Sequence, residues 1–308
     1  MSRSLLTNAV RRRLTSLVAV ALTTALGLIL APSALASALV PPSGGSPAAN
    51  HISNLYTITL YIAIVIFIGV EGTIVYCLFR FRARRGREAK QIHGNTRLEI
   101  GWTLGAALIV VALATITFLD LHSIRDPSNS GPGGLDLSDG VQYETTGALK
   151  PPDGRALTIQ VNGIQYLWRY TYLGVSSNAD GLGDPYTYYQ MVVPTNTTVI
   201  LKVVSQDVVH EWWIPQLGGK VQAVPGYVNE TWFKIPKAGN YKGQCSFLCG
   251  RGHARMIAEV TAVSPQKYKR WLAQLQNNLT LADTNDEKCR QELAQGQGPE
   301  SVEFTKAC

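Results

Sequence analysis

The chain has 308 residues, 46% of them hydrophobic, and a formal net charge of +7. The first 121 residues hold 11 Lys and Arg against 4 Asp and Glu, so they carry the whole net charge. Because these cations flank long apolar runs, the pattern indicates membrane orientation and argues against a nucleic-acid-binding face.

The first apolar run, at 14–31, follows three consecutive arginines and precedes the small residues of "APSALAS". A basic segment, an apolar segment and small residues at Ala34 and Ala36 are typical of a secretory signal. Residues 1–36 are therefore predicted to be a cleaved signal peptide. The alternative is an uncleaved membrane helix, since the run is close to the minimum spanning length.

Residues 37–121 contain two stronger apolar runs, at about 56–79 and 100–119. Each is long enough to cross the ~30 Å hydrocarbon core as a helix. The segment between them, "RFRARRGREAKQIHGNTR", is strongly basic. The positive-inside rule places that segment in the cytoplasm and residues 121–308 outside it. We therefore expect a transmembrane hairpin of two helices.

The outer part of the chain is predicted to be β structure. After a Gly- and Pro-rich linker at 122–155, residues 156–263 contain the β-branched and aromatic runs "ALTIQVNGIQYLWRYTY", "TTVILKVVS", "ETWFKIP" and "MIAEVTAV". Several such strands indicate a sandwich or barrel. A helix is expected at 264–280, opening with Ser as N-cap and Pro, and a polar, loosely ordered tail at 281–308.

The segment "QCSFLCGRGHARM" places Cys245, Cys249, His253 and Met256 in one loop. A disulfide between the cysteines would leave the histidine and the methionine unexplained, and zinc has little use for a thioether. Thiolate, imidazole and thioether together are the ligands of copper electron-transfer centres, in which Met is the weak ligand. Two thiolates four residues apart can bridge two copper ions, with one His and one weak ligand completing each.

A binuclear site of this kind needs a second histidine. His93 is predicted to be cytoplasmic, and His51 and His122 lie beside the membrane, which leaves His210. His210 follows the predicted strand "TTVILKVVSQDVV" and is the expected second imidazole ligand. The alternative is an ordinary packed or surface histidine.

The pairing of "DVVHEWWIPQLGGKVQAVPGYVNET" with "YKGQCSFLCGRGHARM", after "HGNTRLEIGWT", closely resembles subunit II of the haem–copper cytochrome c oxidases. The resemblance covers most of residues 50–280. It implies a membrane α plus all-β chain, with a cupredoxin-like Greek-key β-sandwich at 156–263 that holds the binuclear copper centre CuA. The implied CuA ligands are His210, Cys245, Cys249, His253, Met256 and the backbone carbonyl of Phe247.

The resemblance also implies a function. CuA would accept electrons from cytochrome c, or another small donor, and pass them to haem in subunit I for proton-pumping reduction of O2. The implied partners are subunits I and III and membrane lipid, in a bacterial plasma membrane with the copper domain on its outer face. One alternative, a quinol-oxidase subunit II, lacks copper. Another is a membrane-tethered copper electron carrier or copper-storage protein that works without an oxidase core.

Several positions depart from the family pattern. Phe247 stands where the family usually has Glu, and Gln222 where it has Asp, so two carboxylates are missing from the expected interface with subunit I. The family's Glu helps bind magnesium there. Tyr166 replaces the Trp at which electrons usually enter, and Trp168 follows on the same strand face. Both aromatic residues could instead be core residues.

Two acidic residues lie in or near the predicted spans. Glu99 matches the family's Glu at the entrance of a proton pathway in subunit I. The alternative for Glu99 is an interfacial charge near Arg97. Glu71 lies inside the first span and is expected to face subunit I, because an ionisable group in a membrane normally faces a protein partner or water.

Three cysteines lie outside the copper loop. Cys289 and Cys308 belong to the polar tail on the oxidising side of the membrane, where cysteines usually pair. A disulfide between them would remove ~3 kcal/mol of chain entropy and is expected. The alternative is a disordered tail with free thiols. Cys77 lies in the first span, where a free thiol behaves as a small apolar residue, and is expected to stay unpaired.

Overall fold

The computed structural model describes residues 39–82, 91, 93–137, 149–176 and 183–294. The predicted signal peptide, Cys308 and the side chain of Cys289 lie outside these residues, so the expected cleavage and disulfide stay predictions. The chain divides into two compact units after Pro42, and the fold described below belongs to the second.

Two long apolar helices form the hairpin. Helix α1 spans Pro47–Arg80 and helix α2 spans Thr96–Arg125, and both are long and apolar enough to cross a membrane. Both helices are longer than the predicted spans, mainly at the start of α1 and at the end of α2, where they continue past the apolar runs into polar residues. Asn95 caps α2, since its side chain accepts a hydrogen bond from the N–H of Leu98 at 3.2 Å.

Ten strands follow among the described residues. They are β1 Leu157–Ile164, β2 Leu167–Tyr172, β3 Tyr186–Tyr188, β4 Gln190–Pro194, β5 Thr198–Ser205, β6 His210–Trp212, β7 Val221–Ala223, β8 Asn229–Lys234, β9 Gly239–Gln244 and β10 Ile257–Val263. One sheet has the order β3-β2-β1-β5-β8 and the other β4-β10-β9, while β6 pairs with β7. The β1–β5 and β4–β10 pairs are parallel. The predicted class, a two-helix hairpin followed by a β-sandwich, is confirmed.

The core lies between the two main sheets. Strand β2 alternates between half-buried and buried positions, which turns Trp168, Tyr170 and Tyr172 inward. The Tyr172 hydroxyl joins the sheets, because it donates to the carbonyl of Val192 at 3.0 Å and accepts from its N–H at 2.8 Å. These contacts fix β2, and with it the turn that precedes it, against the rest of the sandwich.

The predicted linker contributes to the domain core. Leu135 and Leu137 are buried in it, and the N–H of Leu135 donates to the hydroxyl of Thr197 at 2.8 Å. The start of the linker also contacts the domain. The indole N–H of Trp232 in β8 donates to the carbonyl of Ile124, near the end of α2, at 3.0 Å. The outer end of the hairpin is therefore hydrogen-bonded to strand β8.

The C-terminal helix α3 spans Pro265–Ala294 and is longer than the predicted 264–280. Its first turns pack on the sandwich, where Tyr172 contacts Tyr268 and Trp271 with ring centroids 6.4 and 5.3 Å apart. Residues 281–288 are exposed but helical, which differs from the loosely ordered tail expected there. Leu281, Ala282, Glu287 and Lys288 favour a helix even without a surface to pack on, and Asp286 pairs with Arg290 one turn later.

Candidate metal centre

The candidate ligands come from two parts of the sandwich that the fold brings together. His210 begins β6, and the loop at 245–256 joins β9 to β10. The N–H of Cys245 donates to the carbonyl of Met256 at 2.9 Å, which closes the loop on itself. The N–H of Ser246 donates to the carbonyl of Glu211 at 3.0 Å, which ties the loop to β6.

A glycine allows β9 to approach the segment after β6. A Cβ at Gly243 would overlap the carbonyl oxygen of Trp213 and lie 2.7 Å from the Cα of Ile214. The next residue, Gln244, donates its N–H to that same carbonyl at 3.0 Å. The backbone of the histidine segment therefore lies directly against the strand that leads to the first cysteine.

Four ligand atoms lie close together. Cys245 Sγ lies 3.9 Å from His210 Nδ1 and 3.9 Å from Cys249 Sγ, which lies 3.6 Å from His253 Nδ1. Two weaker donors lie beside them: Met256 Sδ is 4.0 Å from Cys249 Sγ, and the carbonyl oxygen of Phe247 is 3.3 Å from Cys245 Sγ. All six residues predicted as copper ligands thus lie in one cluster.

The donor set fits a soft metal and not a disulfide. A sulfur–sulfur distance of 3.9 Å is nearly twice the ~2.05 Å of a disulfide bond. His210 and Met256 are 0% exposed, Cys245 1% and Cys249 6%. His253 is half-buried. Two thiols, two imidazoles and a thioether suit copper, whereas structural zinc uses thiolates and imidazoles without a thioether.

The two thiols differ in acidity. Burial, the largest single effect, raises the pKa of Cys245, but hydrogen bonding to His210, to His253 and to nearby backbone groups together outweighs it and lowers that pKa to about 6. Burial and the charge of Cys245 raise the pKa of Cys249 to about 11. Metal binding requires both thiolates, so a bound cation would have to displace the proton of Cys249.

Asp207 orients the buried histidine, and the sequence reasoning missed it. Its Oδ1 lies 2.8 Å from His210 Nε2, which leaves Nδ1 facing Cys245. Two backbone N–H groups, of Gln165 and Val208, hold this carboxylate at 2.7 and 2.6 Å. An outer carboxylate on a ligating histidine is a common way to fix its ring. The sequence signal is an acid three residues before the histidine in "QDVVH".

The two candidate aromatic residues occupy different environments. Trp168 is fully buried, with its ring edge-on to His210 at 5.9 Å between centroids. Tyr166 is half-buried and packs against the backbone of the ligand loop, because a Cβ at Gly250 or Gly252 would meet its ring or hydroxyl. Tyr166 lies in the turn between β1 and β2, partly exposed beside the ligand loop, whereas Trp168 lies in β2 and in the core, so the expected shared strand face is wrong.

Phe247 and Gln222, which replace the two family carboxylates, lie near Glu211. Phe247 is 42% exposed, and Gln222 lies opposite Glu211 in the β6–β7 pair. The Glu211 carboxylate accepts a hydrogen bond from Ser246 at 2.7 Å and lies 4.0 Å from the ammonium of Lys220. The Glu211 carboxylate is thus already hydrogen-bonded and paired.

The remaining predicted residues lie on the hairpin, away from the ligand cluster. Glu99 is exposed in the first turn of α2, where its carboxylate accepts a hydrogen bond from the N–H of Asn95 at 3.3 Å. Glu71 is exposed on α1. Among the described residues, Cys77 is a free, exposed cysteine on the same helix. The roles in proton uptake and subunit contact stay proposals.

Two family descriptions match the chain. They are "Cytochrome C oxidase subunit II, transmembrane domain" over residues 34–119 and "Cytochrome C oxidase subunit II, periplasmic domain" over residues 186–263. Together they cover more than half of the chain. The first matches the hairpin, and the second contains the whole ligand cluster.

Several individual proteins are similar to this chain. A probable cytochrome c oxidase subunit 2 of Rickettsia bellii is 30% identical over 246 residues, covering 76% of this chain and 81% of that protein. A cytochrome c oxidase subunit 2 of Alkalihalophilus pseudofirmus is 29% identical over 230 residues, covering 73% of this chain and 59% of that protein. The crystallised periplasmic domain of subunit II of cytochrome oxidase from Bradyrhizobium japonicum is 33% identical, at a TM-score of 0.36, covering 40% of this chain and 94% of that domain.

Proposed function

The chain belongs to the cytochrome c oxidase subunit II family, and from this premise we propose that it receives electrons for a haem–copper oxidase through a binuclear copper centre. The observation that carries the proposal is the cluster of two thiols and two imidazoles, with neighbouring atoms 3.6–3.9 Å apart, in which His210 and both cysteines are buried and His253 is half-buried. A single-copper site would use only one of the thiols.

The protein groups that would hold the copper pair are those of the cluster. Cys245 and Cys249 would supply the thiolates, His210 and His253 the imidazoles, and Met256 with the Phe247 carbonyl the weak ligands. When bound, the copper pair supplies a one-electron centre that accepts an electron from the donor and passes it to haem in subunit I.

The chain's own residues prepare the site in three ways. Burial of His210 and Met256 excludes water from the inner side of the cluster. Asp207 holds the His210 ring so that Nδ1 faces the thiols. The hydrogen bonds that close the loop on β6 keep the ligands in place, which limits the movement that accompanies a change of redox state.

Tyr166 is proposed as the residue at which electrons enter. It is half-buried, touches the ligand loop, and is connected to it by its neighbour Gln165, whose side-chain amide donates to the Cys249 carbonyl at 2.6 Å. Trp168 is too deeply buried to meet a partner protein directly. Its ring packs edge-on against His210, so Trp168 helps to hold that ligand in place.

The proposed setting is the plasma membrane of a bacterium, with the copper domain on the outer face. The hairpin would contact subunit I, with Glu71 facing it and Glu99 at the entrance of its proton pathway, and subunit III and lipid would complete the surroundings. The family match over the hairpin argues against a membrane-tethered carrier or copper-storage protein, because a tether does not need a subunit-type hairpin.

The direct test is the metal content and spectrum of the purified oxidase. We expect two copper ions bound to this subunit and a purple oxidised form whose electron-paramagnetic signal reports an electron shared by both. One zinc ion, or the blue spectrum of a single copper, would contradict the proposal. A purified chain that binds two coppers but no haem-containing partner would instead favour the carrier or storage alternative.

Replacing the weak ligand should change the potential and not the occupancy. In a Met256→Leu variant we expect both coppers to stay bound, because the thiolates and imidazoles are untouched. The reduction potential should rise, since a thioether donates electron density that favours the oxidised state. Redox titration of the purple absorption measures this. Loss of half or more of the copper would show that the thioether is a principal ligand.

The missing carboxylates lead to a prediction about magnesium. Hard divalent cations need oxygen ligands, and Phe247 and Gln222 supply no carboxylate. We therefore expect no magnesium or manganese bound through side chains of this subunit, whereas Phe247→Glu should introduce manganese binding. Electron-paramagnetic spectra of oxidase prepared in manganese measure both. A manganese signal in the unaltered protein that disappears in Glu211→Gln would contradict this expectation.

A further inference from the structure

The copper loop carries two exposed positive charges. Arg251 and Arg255 lie on either side of the ligand His253, and both side chains are exposed. Neither takes part in an ion pair between the residues that the structure describes. Their charge is therefore available to a partner that approaches the ligand loop.

The carboxylates of Asp207 and Glu211, which lie beside the ligand cluster, form no ion pair with the two arginines. Asp207 is held by two backbone N–H groups and by His210. Glu211 is hydrogen-bonded to a serine and lies 4.0 Å from the Lys220 ammonium. Both acids thus have their partners within the domain itself.

Apolar groups lie beside the two arginines. Leu248 is 77% exposed next to Cys249, and Tyr166 packs over the two glycines that flank Arg251. We call Tyr166, Leu248, Arg251 and Arg255 the donor surface. Apolar side chains accompanied by charged ones resemble the composition of protein interfaces, in which an apolar centre is surrounded by a polar rim.

We propose that the electron donor of this oxidase docks on the donor surface through an anionic face, with carboxylates around its redox group. This inference rests on the proposed function, because it takes the copper loop as the point of electron entry. Opposite charges increase the association rate at low salt, and screening removes the effect. A donor with a lysine-rich docking face would meet like charge and associate more slowly.

The test uses one cytochrome in two charge states. The purified oxidase is supplied at low ionic strength with a reduced, lysine-rich cytochrome c, or with the same cytochrome after succinylation has turned its lysines into carboxylates. We expect oxygen uptake at limiting donor to be about 10-fold faster with the succinylated form, in the range that electrostatic steering gives. Added salt should slow that reaction and reduce the difference between the two probes.

Charge reversal on the donor surface gives the matched variants. Arg251→Glu with Arg255→Glu should reverse the preference in favour of the unmodified, lysine-rich cytochrome. The control, Lys237→Glu with Lys267→Glu, changes the net charge of the protein by the same amount. Both lysines are exposed, before β9 and after β10, at the ends of these strands that lie away from the ligand loop. The control should keep the preference for the succinylated form.

The copper spectrum separates this inference from the proposed function. If the oxidase lacks the two-copper spectrum, the proposed function fails. If that spectrum is present and the lysine-rich cytochrome reacts faster, only the anionic-donor inference is overturned. The arginine variants must retain the spectrum, and an unchanged preference in spectrally intact variants would also overturn the inference.

Discussion

Replacing either cysteine of the loop with serine is expected to abolish the purple absorption and the paired-copper signal. Cys245 and Cys249 belong to the ligand cluster, and each sulfur lies within 3.9 Å of the other and of one histidine nitrogen. A serine hydroxyl is a hard, weakly acidic ligand that does not replace a thiolate on copper. Oxygen uptake with a protein donor should fall by more than about 100-fold, beyond the loss typical of outer-sphere changes.

The matched control is Cys77→Ser. Cys77 is a free cysteine on α1, far in sequence from the ligand loop, so this change should leave the copper content and oxygen uptake unaltered. Copper analysis and the absorption spectrum of each assembled complex make the comparison. A Cys249→Ser complex that keeps two coppers and full activity would disprove the ligand assignment.

Gly243→Ala is expected to move the loop that carries the cysteines away from the His210 segment. The added methyl would overlap the carbonyl of Trp213, which is backbone and cannot rotate away. Strand β9 must then move from the histidine segment, breaking the hydrogen bond from Gln244 and shifting Cys245 relative to His210. Overpacking of this kind costs roughly 2–3 kcal/mol, or about 5–10 °C in unfolding temperature. The copper occupancy of the site should fall together with the unfolding temperature.

A second glycine of the same strand serves as the control. At Gly239 a Cβ would have only ordinary contact, with the Tyr241 ring at 3.9 Å, so Gly239→Ala should be close to neutral. Thermal unfolding and copper analysis of both variants measure the difference. Equal unfolding temperatures and full copper occupancy in both would show that the close approach at Gly243 does not position the site.

The ligands could be predicted from the sequence because their chemistry is local. Cys245, Cys249, His253 and Met256 lie within one short loop, and their side chains suit few metals other than copper. The second histidine followed from the membrane topology, which the basic segment between the spans determines. The length of α3 was underestimated, because a polar helix without a packed face gives no apolar periodicity to detect.

By itself the sequence predicted the hairpin, the side of the membrane, the β class of the domain and the candidate ligands. Each of these depends on composition or on residues close together in the chain. Only the tertiary structure decided that Asp207 orients His210, that Gly243 lets two backbones meet, and that Tyr166 rather than Trp168 faces the surface. These features depend on distances between strands far apart in sequence, which packing sets and no local pattern encodes.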